Sequence, residues 1–104
     1  MHLEERRDGD TVVVDLHGPV VREHGDLQSL LSHVRGLANH GCTNIVLNVA
    51  ELTNIDSVLI GAIAHAYISA NRIGATLRLQ HASAQLRRLL ALTKLDRVIQ
   101  VVED

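Results

Sequence analysis

Apolar positions change period several times along the chain, and each change marks an element. Thr11-Val-Val-Val-Asp-Leu16 is a β-branched run of strand character, and the turn Asp8-Gly9-Asp10 before it predicts a hairpin to a short strand near Leu3 to Arg6. Gly18-Pro19 breaks that pattern, and Val20 to His24 reads as a short extended piece. The spacing then turns helical. Leu27, Leu30, Leu31, Val34, Leu37 and Ala38 share one stripe, with Asp26 in the capping position and Gly41 just past the end. Ile45 to Val49 is apolar except for Asn48, with β-branched residues as in a buried strand. Leu59, Ile63, Ala66, Ala70 and Ile73 form a second helical stripe that stops at Gly74. Ala75 to Leu79 predicts a further strand, Ser83 caps a helix through about Thr93 with Leu86, Leu89 and Leu90 inward, and Val98 to Val102 closes the chain as a last strand.

Strand and helix alternating in this way predict an α/β fold: one domain over residues 1–104, with a mostly parallel four- to five-stranded sheet and about three to four helices on right-handed crossovers. In such sheets, partners and ligands are met where strands end and helices begin. Asn54-Ile-Asp-Ser-Val-Leu-Ile-Gly61 sits at such a junction and sets the polar pair Asp56-Ser57 between an apolar strand and an apolar helix. Asp56 or Ser57 supplies the N-cap oxygen, and capping alone is enough to explain the pair from its spacing.

Composition removes several classes of function. A chain of 104 residues supports one core, and its formal charge of -2 gives no global attraction to nucleic acid or to an anionic membrane. The lone Cys42 has no internal disulfide partner and reads as a small buried thiol in a reducing compartment. There is no charged-then-apolar leader, and the longest apolar stretch, Val58 to Ala70, is too short for a bilayer, so a cytoplasmic protein is expected. Among the seven histidines no His-x-x-x-His pair occurs; His33 and His40 merely share a helix face, and neither a metal nor a cofactor is expected. Gly18, Gly25 and Gly41 are too scattered to cradle a phosphate, and Ser57 has no nominated base and no Gly-x-Ser-x-Gly elbow. An enzyme or nucleotide-binding protein that uses Asp56 and Ser57 directly therefore lacks its machinery. Arg87, Arg88, Lys94 and Arg97 make a basic face that reads as solvated, since Tyr67 is the chain's one aromatic among Phe, Trp and Tyr.

Three stretches carry a resemblance: Asn44-Ile-Val-Leu-Asn-Val-Ala-Glu-Leu-Thr-Asn-Ile-Asp-Ser followed by Gly61, Arg72-Ile-Gly-Ala-Thr-Leu-Arg-Leu, and Leu92-Thr-Lys-Leu-Asp-Arg-Val-Ile. Together they resemble the STAS domains of bacterial anti-sigma factor antagonists, over nearly the whole span from Thr11 to Val102. In that family Asp-Ser is followed by a small residue and then Gly-Leu-Gly. Here Asp56, Ser57 and Gly61 match, whereas Val58 and Leu59 replace the small residue and the first Gly. The resemblance implies a switch without enzymatic activity. The unphosphorylated protein binds an anti-sigma factor, commonly a serine kinase of the histidine-kinase-like ATPase type, and so frees a sigma factor. The kinase phosphorylates the position of Ser57, and a PP2C-type phosphatase reverses the modification. On this pattern the partner-binding residues are Asn54, Asp56, Ser57, Val58 and Leu59, with Gly18 to Gly25 as a neighbouring loop, in a monomer or weak dimer. Leu59 is expected to add bulk where a kinase approaches the serine. STAS domains also serve as non-switching scaffolds in signalling assemblies and as subunits of lipid-transport complexes, which is the alternative reading.

Overall fold

The computed structural model describes residues 1–53 and 55–102. Strands β1 (His2–Asp8) and β2 (Thr11–His17) form an antiparallel hairpin, paired from His2 with His17 to Asp8 with Thr11. Only Gly9 and Asp10 remain for the turn, and Gly9 takes a φ of 66° that a side chain would resist.

From β2 onward each strand lies parallel to the one before it. Helix α1 (Asp26–Asn39) leads to β3 (Asn44–Asn48), α2 (Ser57–Arg72) to β4 (Thr76–Gln80), and α3 (Ala84–Leu92) to β5 (Val101–Val102). The sheet order is β1-β2-β3-β4-β5. Crossovers that all step in one direction, with the right-handed connection such units adopt, place their helices on one face of the sheet, and α1 and α2 pack against each other there.

Strand pleating decides what this face buries. Val12, Val14 and Leu16 of β2, Ile45 and Leu47 of β3, and Leu77 and Leu79 of β4 are covered. Against them pack Leu30 and Val34 of α1, Ile63, Ala66 and Ala70 of α2, and Leu86 and Leu90 of α3. The opposite face is more polar. There the buried Asp15 accepts hydrogen bonds from Arg6 Nε (2.6 Å), Arg6 Nη2 (3.0 Å) and Asn48 Nδ2 (2.8 Å). The Arg6 hydrogen bond, above all, holds the Asp15 carboxyl below its ordinary range against the opposing effect of burial.

Several expectations from the sequence are corrected. Asp26 does not cap α1: Gly25 holds the N-cap position, and the Asp26 carboxylate turns back to accept the Val21 N–H at 2.7 Å and the Met1 amino group at 3.3 Å. Val20 to His24 is not extended throughout, since Arg22–His24 form a 3-10 turn. Ile73 caps the end of α2 and is 44% exposed, so it leaves the apolar stripe. Leu27, Leu37 and Leu89 are half-buried, as is Cys42, whose thiol donates to the Asn44 carbonyl at 3.4 Å. The last strand is two residues long: Leu95–Arg97 form a second 3-10 turn, Val98 is exposed, and Ile99 alone of that stretch is fully buried.

Candidate functional site

The junction between β3 and α2 is built by short-range hydrogen bonds. Asn48 uses both ends of its amide, donating to Asp15 and accepting the Ala50 N–H at 3.1 Å, which turns the chain as it leaves the sheet. Val49 N–H still reaches the Gln80 carbonyl across the sheet, and Leu52, 5% exposed, anchors the connection in the core. Asn54 lies outside the described residues. The chain then enters α2 with extended backbone at Asp56, whose Oδ1 accepts the Leu59 N–H at 2.9 Å. This settles which member of the pair is the cap. Asp56 does that work, and Ser57 is the first helical residue.

Ser57 is exposed, and its hydroxyl makes no hydrogen bond among the described residues. Val58 is half-buried. Leu59 is 3% exposed, so its side chain packs chiefly into the core. Beside the helix start lies a depression of about 260 Å³. Asp56, Val58 and Leu59 form one wall, and Val20, Val21, Arg22 and Glu23 form the other. The structure thus joins the predicted loop between Gly18 and Gly25 to the predicted motif.

That loop is held by Asp26. Its carboxylate accepts the Val21 N–H, a bond that, more than any other influence, keeps this acid below its ordinary pKa. His24 N–H and Gly25 N–H close the turn on Val21 and Arg22 carbonyls. Local spacing could not separate a capping Asp from one that ties down the preceding loop, because both stand at the same place before the apolar stripe.

One group of side chains near the junction was not foreseen. His17, the last residue of β2, lies with Nδ1 2.7 Å from Glu51 Oε2 and Nε2 3.0 Å from Glu4 Oε1. Glu51 Oε1 also accepts the Gly18 N–H at 3.2 Å. No local signal announces this contact, since His17 and Glu51 meet only because β2 and β3 run parallel and end together. Glu4, Asp15 and His17 bring ligand atoms within 4.8 Å of one another, the spacing of a metal site. Their bonding already has another use: Asp15 is committed to Arg6 and Asn48, and both ring nitrogens of His17 face carboxylates.

The model of the "Mlab, STAS domain" family matches residues 3–103, which is almost the whole sheet and all three helices. The chain belongs to the STAS domain family. Its fold recurs in solved structures. A putative anti-sigma factor antagonist from Thermotoga maritima superimposes at a TM-score of 0.77, with 21% identity over 98% of this chain and 86% of the other. SpoIIAA, an anti-sigma factor antagonist and cell fate determinant from Bacillus, matches in two forms. Its unphosphorylated form gives 0.74 at 16% identity over 99% of this chain and 89% of the other. Its phosphorylated form gives 0.73 at 17% over 99% and 93%. An anti-sigma factor antagonist from Mycobacterium paratuberculosis gives 0.79 at 14% identity over 99% and 86%. At these identities the likeness is one of fold. No curated protein matches the sequence significantly. Among the described residues of this STAS domain, no helix is long and apolar enough to cross a membrane.

Proposed function

We propose that this STAS domain is an anti-sigma factor antagonist, which binds an anti-sigma factor and frees a sigma factor until a phosphate is placed on Ser57. The observation that carries the reading is the division of labour at the start of α2. Asp56 satisfies the helix amide, and Ser57 is left exposed, its hydroxyl without a hydrogen bond among the described residues. A phosphate there brings about -1.5 to -2 charge at neutral pH, and a helix N-terminus tolerates an anion because its free amides and dipole face it. The fold survives the modification, while a partner surface matched to a neutral hydroxyl meets new repulsion and desolvation. SpoIIAA supports this: its two forms resemble this chain to nearly the same degree.

The binding surface in this reading comprises Asn54, Asp56, Ser57 and Val58 with the facing turn at Val20 to Glu23, and Leu59 supports it from within. The partner is a serine kinase of the histidine-kinase-like ATPase type, a PP2C-type phosphatase restores the binding form, and the domain itself catalyses nothing, in the cytoplasm, as a monomer or weak dimer.

The test is phosphopeptide mass spectrometry of the protein recovered with its partners, with and without ATP. Phosphate on Ser57 with loss of a co-purifying ATPase is the expected result. Ser57→Asp is expected to fold like the parent and to lose the partner that Ser57→Ala retains. A Ser57→Asp chain that unfolds, or that binds as well as Ser57→Ala, overturns the electrostatic account. Val58 and Leu59, where the motif has a small residue and Gly, favour a second reading: a non-switching scaffold in a signalling or transport complex. It predicts an unmodified Ser57 in a complex that ATP does not disturb.

A further inference from the structure

The contact between His17 and Glu51 links two parts of the molecule that the sheet alone does not hold together. Glu4 lies on β1, whereas Glu51 lies in the connection that leads to Asp56 and Ser57. A neutral imidazole has one N–H and one lone pair, so it can donate to only one of two flanking carboxylates. Only the imidazolium donates to both at once. We propose that His17 is a proton-operated latch: charged, it ties Glu51 of the β3–α2 connection and Glu4 of β1 to the end of β2 at once, and on losing its proton it lets one of these carboxylates go.

Every element around the ring contributes to the balance. From β1 come Glu4 and His2, whose ring stacks on His17 with centroids 5.9 Å apart and planes 23° apart. Asp15, two residues before His17 on β2, is a further negative charge, partly neutralised by Arg6. Glu51 comes from the connection. Three carboxylates favour the imidazolium, and a charged His2 opposes it. The hydrogen bond to Glu51, followed by that to Glu4, raises the His17 pKa above its ordinary 6.5. Glu51 is lowered from 4.5, first by His17 and then by the Gly18 N–H.

The signs define the window. A raised histidine stabilises the fold fully below its unfolded value, and that stabilisation is lost as pH rises through the folded value. A lowered Glu51 keeps its share above its unfolded value and loses it as pH falls through the folded one. The latch is therefore closed between the two folded values and opens on the alkaline side through His17.

This inference concerns the free chain and stands independently of any modification of Ser57. It is tested by NMR titration of the isotope-labelled full chain. The His17 ring is expected to titrate above 6.5, with the Gly18 and Leu52 amides following the same midpoint. Glu51→Gln moves the ring midpoint back towards 6.5 and flattens both amide responses, and Glu4→Gln moves it by less. His17→Gln, which has no proton to lose, abolishes the shared midpoint. A His17 ring that titrates at or below 6.5 overturns the latch, and so do connection amides that ignore its titration.

Discussion

Helices α2 and α3 both follow a strand of the same parallel sheet, and both close their first turn with a side-chain oxygen that accepts the amide three residues on: Asp56 from Leu59, Ser83 from Leu86. Yet the serine differs in what it does. At α3 the serine is the cap, so its hydroxyl is consumed. At α2 a carboxylate caps, and the serine that follows makes no hydrogen bond among the described residues. The connections differ as well. Between β4 and α3 lie three residues, 81–83, with His81 at a φ of 62°, whereas β3 reaches α2 through a longer segment that plants Leu52 in the core. The two helix starts thus differ in what their capping leaves over rather than in the capping itself.

The largest expected effect removes the buried Leu52 of the longer connection. Leu52→Ala is expected to cost about 2–5 kcal/mol, read from denaturant unfolding, and to loosen amide exchange at Asp56 more than at Ser83. Next come the caps. Asp56→Ala and Ser83→Ala are each expected to lose roughly 1 kcal/mol, and Ser57→Ala to stay within about 0.5 kcal/mol of the parent. If Ser57→Ala costs as much as Ser83→Ala, the contrast between the two helix starts collapses.

Smaller still, because solvent screens the exposed Arg6 side of its pair, is the acid response at the strand ends. Asp15 is lowered from an ordinary 3.8, so its contribution is present above that value and is lost as pH falls through the folded one. Asn48, which donates to Asp15, is expected to report that titration in its side-chain amide, and Gln80, its register neighbour on β4, to report it weakly. Arg6→Gln is expected to shift the midpoint upward, as NMR of the Asp15 carboxyl carbon would record. The last effect is a gain. Gly61 is exposed in the interior of α2 with helical backbone, and a Cβ there meets no atom within 4 Å. Gly61→Ala is expected to stabilise by up to about 1 kcal/mol in thermal unfolding.

Much of this architecture was legible because burial imposes a period. Leu30, Leu31, Val34 and Ala38 in α1 and Leu59, Ile63, Ala66 and Ala70 in α2 lie where their spacing puts them, and the parallel sheet follows from the alternation. The Asp56-Ser57 junction was legible as a place, while its inner division between cap and spare hydroxyl was not, since either oxygen fits an N-cap. The misread stretches share a cause: local pattern overruled by something distant. Val98 to Val102 looks like one strand, but Lys94 adopts a left-handed backbone and Leu95–Arg97 coil, so that Ile99 fills the core, the Gln100 carbonyl accepts the Leu79 N–H, and Val101 and Val102 alone pair with β4 as a strand. His17 and Glu51 carried no signal because the sheet, and not the chain, makes them neighbours.

The strand order has a consequence for how the molecule is made. Each strand pairs with its neighbours in sequence, so β3 joins β2 as Asn44 meets Thr11, β4 joins β3 as Thr76 meets Asn44, and β5 comes last as Val101 meets Leu79. The hairpin, the turn at Arg22–His24, the β3 end and the whole of α2 precede Ile73. A chain emerging from the ribosome N-terminus first therefore has every residue of the Ser57 surface in hand while β4, α3 and β5 are still being synthesised. Those later elements complete the sheet's far edge.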